Sequence, residues 1–366
     1  MISALGLMSG TSLDGVDVAW IKTDGEGHIN TGPSLHLPYT PEDQNLLREA
    51  LIHARDLTQR DERPPLIARA EALIDQRHIE AVEAFRAAYP ALEIELIGYH
   101  GQTILHRPEA RLTVQIGRGQ VLADALDCPV LFDMRAADVA AGGQGAPLVP
   151  VYHRALARAA GLRFPVGILN IGGVANLTYL PSAEAEPLAC DTGPGNALLD
   201  DLMLEQTGEP MDRDGATAAR GQVNAAALAQ LLDDSFFELM PPKSLDRNRF
   251  SRHAVAGLAL SDAAATLTAF TSAAVKQLLR QLPDSMSELV VCGGGARNPT
   301  LIQFLEKDLQ CPVKTAEFYG WSGDALEAQA FAYLAVRAKK GKVLTFPTTT
   351  GCPAPMSGGV LVRPRG

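Results

Sequence analysis

The amino-acid sequence predicts an α/β protein with two similarly built halves. Strand-like and helix-like patterns alternate along the whole chain, which is the order typical of α/β folds. A strand, a small polar turn and a second strand open the chain at 2–23, and the same succession recurs at 162–180. The chain also has 366 residues, more than one domain of ordinary size usually contains.

Short apolar runs bounded by turn formers predict the strands, and apolar residues at helical spacing predict the helices. The predicted strands include 2–8, 16–23, 94–98, 110–116, 130–132, 162–169 and 289–292. The predicted helical segments are 41–86, 119–126, 197–204, 223–232, 254–282 and 324–340. Between them, 133–150 is predicted as a long glycine-rich loop, and loops of this length are usually functional or mobile.

Charge and cysteine content restrict the class of protein. The chain has 42 acidic and 32 basic residues, a net charge of −10, which gives no footprint for nucleic acid and repels an anionic membrane surface. The five cysteines form no Cys-x-x-Cys pair, which argues for a reducing compartment and against disulfides or a thiolate zinc site. The sequence shows neither a basic leader nor an apolar run of about 20 residues. We therefore expect a cytoplasmic protein without a nucleic-acid or membrane partner.

The first polar turn is a candidate phosphate site. Its small residues let phosphate oxygens approach backbone N–H groups, its hydroxyls add donors, and Asp14 is a candidate Mg²⁺ ligand. The candidate residues are Gly10, Thr11, Ser12, Leu13, Asp14, Gly15, Val16 and Asp17. An ordinary hairpin turn has the same composition, so the pattern alone leaves both interpretations open.

Two further glycine turns are candidates for binding a nucleotide. Gly172 and Gly173 resemble a second phosphate cradle, with a tight hairpin as the alternative. The run Gly293, Gly294 and Gly295 follows a buried strand and precedes a helix, so its backbone can lie against a base or ribose. A ligand-free strand–helix connection is the alternative there. The sequence contains neither a P-loop nor a well-placed Rossmann motif.

Asp191 is the candidate general base. It is predicted at the end of a strand, directly before a glycine turn, where a carboxylate has room to act on a substrate. An aspartate in an Asx turn or at a helix N-terminus is the alternative.

Three further side chains are candidate ligand contacts. His100, at the end of a predicted strand, suits a hydrogen bond to a substrate, while its spacing from His106 does not suit a metal site. Arg135 can grip an anion with two parallel hydrogen bonds or form a surface ion pair. Glu327 follows Asp324 by three residues, which fits a capping box as well as a ligand contact.

Taken together in chain order, these motifs resemble the anhydro-N-acetylmuramic acid kinase family of the sugar kinase, heat-shock ATPase and actin superfamily. The blocks that carry the resemblance are 5–17, 100–103, 138–150, 170–173, 191–196, 212–215, 242–244, 292–295 and 327–331. One departure is Leu245-Asp246, where many relatives have Thr-Gly, and it affects no proposed catalytic residue.

The resemblance implies two related ribonuclease-H-like domains with a nucleotide cleft between them. They would comprise 1–163 with 325–366, and 164–324. The first two glycine turns would then hold the phosphates of ATP with Mg²⁺, and the third would hold adenosine. His100, Arg135 and Glu327 would line the sugar pocket, with Arg135 as partner of the lactyl carboxylate. The resemblance leaves a homodimer open.

The implied reaction opens the internal ether of 1,6-anhydro-N-acetylmuramic acid with water and phosphorylates O6, in the turnover of cell-wall peptidoglycan. Inverting glycosidases need one carboxylate to activate water and a carboxylic acid for the leaving oxygen. Here the departing O6 attacks phosphorus instead, so one carboxylate is enough, and Asp191 fits as the base.

Two other functions stay open at this stage. A kinase of the same superfamily that phosphorylates a plain sugar or carboxylate would need no base for water. A non-catalytic, nucleotide-switched clamp of actin or chaperone type usually carries a client domain, and the sequence has no spare segment of that size.

Overall fold

The computed structural model describes residues 1–10, 12–246 and 248–365. In chain order its strands and longer helices are β1 Ile2–Ser9, β2 Gly15–Thr23, β3 Ile29–Pro38, α1 Pro41–His53, α2 Pro65–Ala88, β4 Leu96–Arg107, β5 Leu112–Ile116, α3 Gly119–Leu126, β6 Val130–Phe132, α4 Ala136–Ala140, α5 Pro150–Ala159, β7 Val166–Ile171, β8 Val174–Leu180, β9 Leu188–Pro194, α6 Ala197–Thr207, α7 Ala225–Leu232, α8 Leu260–Leu279, β10 Glu288–Cys292, α9 Pro299–Asp308, β11 Val313–Thr315, α10 Leu326–Lys339, α11 Pro347–Thr350 and β12 Val360–Val362. Of the helices described, none is long and apolar enough to cross a membrane.

The chain divides into two compact units. The first unit comprises Met1–Ala159 and Asp324–Gly366, and the second comprises Ala160–Gly323. The first bound lies before the predicted 163/164, where α5 ends at Ala159, and the second lies directly before the predicted 324/325.

The first unit is built on a sheet with the strand order β12-β6-β4-β1-β2-β3, and β5 pairs with β4 at one side. Strand β1 is antiparallel to β2 and parallel to β4, which in turn is parallel to β6. Helix α2 contributes buried Ile67, Ile74 and Phe85 to the core beside this sheet. Helix α10 packs against β1, β2 and β4 and is rich in buried alanine.

The second unit repeats the same arrangement in the order β11-β10-β7-β8-β9. Strand β7 is antiparallel to β8 and parallel to β10, as β1 is to β2 and β4. In both units, three consecutive antiparallel strands therefore lie beside two parallel strands that are reached through connections containing helices. This repetition confirms the prediction of two related ribonuclease-H-like domains in an α/β protein.

The structure corrects several predicted elements. The segment 41–86 is two helices, because Pro64 and Pro65 cannot continue a helix and instead start α2. The segment 133–150 is not a structureless loop, since α4 lies within it. Strand β9 contains Gly193 and Pro194, residues typical of turns, yet it pairs with β8 along its length, so tertiary pairing overrides the local preference.

Candidate active site

The first predicted phosphate turn connects β1 and β2 and is fixed from two sides. The side chain of Gln102 donates from Nε2 to the Gly10 carbonyl at 3.2 Å, and the Tyr39 N–H donates to the Asp14 carbonyl at 2.9 Å. Ser12 donates from Oγ to Oδ1 of Asp14 at 2.7 Å, and both side chains are exposed. Ser12 and Asp14 thus present a hydroxyl and a carboxylate to solvent.

Not every predicted residue of this turn offers its side chain. Leu13 and Val16 are buried in the core, so they can contribute only backbone groups. Gly15 begins β2, and Thr11 lies outside the residues that the structure describes.

Asp17 lies on β2 beside the turn, and its Oδ1 is 2.8 Å from Nδ1 of His36. Desolvation raises the pKa of Asp17, although the hydrogen bond and charge of His36 act in the opposite direction. Desolvation also raises the pKa of Glu327, and the neighbouring charges of Asp17 and Asp14 raise it further. The three carboxyl groups therefore share one electrostatic environment in the first unit.

Glu327 is in the first turn of α10, where its side chain reaches solvent although neighbouring residues desolvate its carboxyl group. The capping-box alternative is wrong, because the N-cap is Ala325 and no side chain caps this helix end. Arg135 lowers the pKa of Glu327 in opposition to the larger effect of desolvation, so the two side chains lie close enough to interact. With the capping box excluded, Glu327 remains a candidate ligand contact.

His100 does not lie at a strand end, as the sequence predicts, but within β4. The pairing of β1 with β4 shifts between Leu7 and Ser9, so that β4 contains one extra residue there. Gly101 has a φ of +72° at this β-bulge, a conformation that favours glycine. The bulge fixes the direction in which the His100 side chain points.

His100 and Arg135 form a hydrogen-bonded pair. Nδ1 of His100 is 2.9 Å from the Gly101 carbonyl, so it carries the proton, and Nε2 accepts from Nη2 of Arg135 at 3.3 Å. Burial lowers the pKa of His100 to about 3, and the charge of Arg135 lowers it further. His100 is therefore a neutral acceptor throughout the physiological pH range.

Arg135 is a largely buried cation that forms no ion pair at bonding distance with a carboxylate among the described residues, although Glu327 and Asp138 lie near enough to favour its charged form. It donates from Nη1 to the Gly145 carbonyl, and its Nε is buried without an acceptor in the described part of the chain. Burial lowers the pKa of Arg135 to about 10, which still leaves it charged. The surface ion pair that the sequence left open is thus not formed, and guanidinium N–H groups remain for a ligand.

The second glycine turn, Gly172-Gly173, connects β7 and β8 in the second unit. Its carbonyl oxygens accept hydrogen bonds from the backbone N–H groups of Gly195, Asn196 and Ala197, at 2.8–3.3 Å. The beginning of α6 therefore fixes this turn entirely through backbone contacts.

The three consecutive glycines after β10 have different surroundings. A Cβ on Gly293 would lie 2.4 Å from Oδ1 of Asn170, and one on Gly295 would lie 2.5 Å from Cγ2 of Ile171. A Cβ on Gly294 would meet only Nδ2 of Asn196, at 3.7 Å. Close packing against β7 thus explains Gly293 and Gly295, whereas Gly294 faces open space.

One cavity of about 450 Å³ brings the second and third glycine turns together within the second unit. Gly172, Gly173 and Gly294 line it, together with residues that sequence reasoning did not single out as ligands, namely Asn196, Leu199, Asp200, Met211, Asp212, Arg213, Asp214, Arg297 and Asn298. The charged part of this lining is mixed, with Arg213 and Arg297 beside Asp200, Asp212 and Asp214. Asp212, Arg213 and Asp214 belong to the motif block 212–215, so the sequence contained a signal for this part of the cavity lining.

Asp191 lies inside β9 rather than at a strand end, because β9 continues to Pro194. Its N–H donates to the Lys243 carbonyl at 2.9 Å, and its Oδ2 accepts from the Leu245 N–H at 2.6 Å. Desolvation raises the pKa of Asp191 to about 6, and the Leu245 hydrogen bond opposes that shift only in part. No described lysine, arginine or histidine forms an ion pair with it.

The sheets and glycine turns of the two units indicate the class of protein. A duplicated ribonuclease-H-like sheet with glycine-rich turns after the first strand of each repeat is the architecture of the actin-like ATPase superfamily. A family model described as anhydro-N-acetylmuramic acid kinase matches residues 2–364. The chain belongs to the anhydro-N-acetylmuramic acid kinase family and is a kinase, as its motifs predict.

Curated relatives agree with this assignment along the whole chain. A protein of Nitrobacter winogradskyi named anhydro-N-acetylmuramic acid kinase is 54% identical and covers 100% of both chains. One of the same name from Azorhizobium caulinodans is 55% identical and covers 99% of both. Among solved structures, an activator of the 2-hydroxyisocaproyl-CoA dehydratase from Clostridium difficile with bound ADPNP has 12% identity and a TM-score of 0.47 over 93% of this chain and 96% of that chain.

Proposed function

We propose that the protein opens the 1,6-anhydro ring of anhydro-N-acetylmuramic acid with water and phosphorylates O6 with ATP, giving N-acetylmuramic acid 6-phosphate and ADP. This reaction would return a cell-wall sugar to metabolism. The need for ATP as phosphoryl donor supports a cytoplasmic location.

The environment of Asp191 is the observation that supports ring opening by water. A kinase that phosphorylates a free hydroxyl needs no base for water, whereas ring opening does. The Leu245 N–H holds Oδ2 of Asp191, which leaves Oδ1 to accept a proton from water. Because desolvation raises the pKa of Asp191 to about 6, the group is ionised at neutral pH and is a stronger base than an exposed aspartate.

The phosphoryl half needs positioning and charge neutralisation rather than covalent help from the protein. By the family resemblance, Gly10, Ser12, Gly172 and Gly173 would contact the phosphates. Gly294 faces the cavity of the second unit, and its bare backbone leaves room there for the nucleotide.

The residues present could hold Mg²⁺ only together with the phosphates of ATP. No group of three histidine, cysteine or acidic side chains suited to a metal occurs among the described residues. Mg²⁺ in kinases is usually held by one or two carboxylates together with substrate phosphates. Asp14 and Asp17 are the carboxylates that would hold it, and the ion would neutralise charge on the phosphates.

His100, Arg135 and Glu327 would bind the sugar in the first unit. Arg135 keeps its charge and has guanidinium N–H groups available, which suits the lactyl carboxylate of the substrate. Glu327 is exposed and has no hydrogen-bond partner among the described residues, which suits a sugar hydroxyl.

The test is a product analysis by mass spectrometry after incubation with ATP, Mg²⁺ and the anhydro-sugar in water labelled with heavy oxygen. The expected product has gained one labelled water and one phosphoryl group. A product that gained only the phosphoryl group would disprove ring opening, and an unchanged sugar would disprove the proposed substrate.

A further inference from the structure

A chain of hydrogen bonds between buried groups connects the C-terminal part of the first unit to Arg135. Thr350, the last residue of α11, donates from Oγ1 to Oδ2 of Asp138 at 2.6 Å. Oδ1 of Asp138 accepts from the Gly145 N–H at 2.7 Å, and the Gly145 carbonyl accepts from Nη1 of Arg135. Thr350 is 0% and Asp138 2% exposed, so water does not compete for these contacts.

Gly145 is held tightly within this series of hydrogen bonds, between Asp138 and Arg135. Its φ is +67°, and a Cβ there would lie 2.4 Å from Cγ2 of Val139 and 2.8 Å from Cγ of Arg135. The Gln144 N–H also donates to the Thr350 carbonyl at 2.6 Å. The loop backbone thus packs directly on the aliphatic part of Arg135, and it is fixed to Thr350 directly at Gln144 and through Asp138 at Gly145.

The acceptors that orient the Arg135 guanidinium are both uncharged. They are Nε2 of His100 and the carbonyl of Gly145. Neutral acceptors fix the direction of a guanidinium and leave it cationic, and the nearby charges of Glu327 and Asp138 also favour its charged form. The position of the Gly145 carbonyl therefore decides where that charge is directed.

We propose that Thr350 is a positioning residue for sugar binding, which acts through Asp138 and Gly145 to hold Arg135 in the orientation that receives the carboxylate of the substrate. Thr350 itself touches no ligand. The proposal rests on the proposed function in one respect, since it takes Arg135 as a sugar contact.

Thr350→Val is the first test, because it keeps the side-chain shape and removes only the donor to Asp138. We expect the Kd for the anhydro-sugar, measured by calorimetry without ATP, to rise about tenfold, since the substitution leaves a buried acceptor without its partner. The KM for the sugar should rise in parallel, while kcat and the KM for ATP change little. Thr350→Ser retains the hydroxyl and should restore the sugar affinity.

Thr349→Val is the matched control in the same helix. Thr349 is also buried, but its hydroxyl contacts the backbone of Phe346 and not Asp138. This variant should keep the sugar affinity of the original protein even where its Tm falls. An equal loss of sugar affinity in both valine variants would overturn the proposal, because the effect would then belong to the packing of α11.

A double-mutant cycle separates positioning from general stability. In an Arg135→Ala background, Thr350→Val should cause no further loss of sugar affinity. An additive loss, or an Arg135→Ala variant with unchanged sugar affinity, would overturn the proposal, while the product analysis still decides the reaction independently. Should Thr350→Val unfold, Asp138→Asn tests the same connection in the same cycle.

Discussion

The two units provide different chemistry, although five strands have the same order in both. In the first unit the candidate residues are linked, since Arg135 contacts His100 directly and reaches Thr350 through Gly145 and Asp138. In the second unit Asp191 has one hydrogen bond to its carboxylate and no charged partner in the described chain. A linked cation has a fixed direction, whereas an isolated, desolvated carboxylate has a raised pKa. The first property suits binding and the second suits proton transfer.

Removing the isolated carboxylate should have the largest effect. Asp191→Asn keeps the shape of the side chain and abolishes its basicity, so turnover should fall about a thousandfold. The Kd for ATP should stay close to that of the original protein. Fixed-time product assays measure the turnover, and calorimetry measures the Kd for ATP. Turnover above a tenth of the original rate would exclude Asp191 as the base.

Substitution of Arg135 should weaken sugar binding more than it slows turnover. Arg135→Ala removes a charge-assisted contact, so the KM for the anhydro-sugar should rise about a hundredfold. Arg135→Lys keeps the charge but loses the planar donor pair, and should recover only part of the affinity. An unchanged KM in Arg135→Ala would show that the sugar carboxylate binds elsewhere.

The pH dependence distinguishes the two units by their titrating groups. Asp191 must be ionised to accept a proton, and burial raises its pKa to about 6. The rate should therefore be constant above pH 7 and fall about tenfold for each pH unit well below 6. His100 does not contribute to this decline, because burial lowers its pKa to about 3.

Asp17 and Glu327 also have raised pKa values, so two variants are needed to assign this acidic decline. The decline should persist in Glu327→Gln. It should disappear from the residual activity of Asp191→Asn. The opposite pattern would place the titrating base in the first unit.

The glycines of the second unit should show the smallest effect on activity and separate packing from binding. Gly294→Ala adds a methyl group on the cavity side, so the Kd for ATP should rise a few-fold with an unchanged Tm. Gly295→Ala places the methyl group against Ile171 and should cost about 1–3 kcal/mol of stability. Nucleotide titration and thermal denaturation check the pair, and a destabilised Gly294→Ala would assign that glycine to packing as well.

Local pattern was sufficient for much of the fold. Strand β6 and helix α3 have the predicted bounds, because a short apolar run and a strong helical spacing determine them without distant help. Strand β9 was missed, because its residues favour a turn and only the partner strand β8 makes them extended. The length of β4 was underestimated for a related reason, since the bulge at Gly101 lets the strand continue past a residue that usually ends one.

The sequence by itself determined the two repeated halves, the order of the glycine turns and the family, because these depend on residue types at short spacing. Tertiary structure alone decided the environment of each candidate residue. The desolvation of Asp191, the neutral state of His100 and the contact of Thr350 with Asp138, 212 residues apart, all depend on neighbours that are distant in the chain. Burial and the pKa shifts that it causes depend on the surroundings in space, so they arise only once the chain has folded.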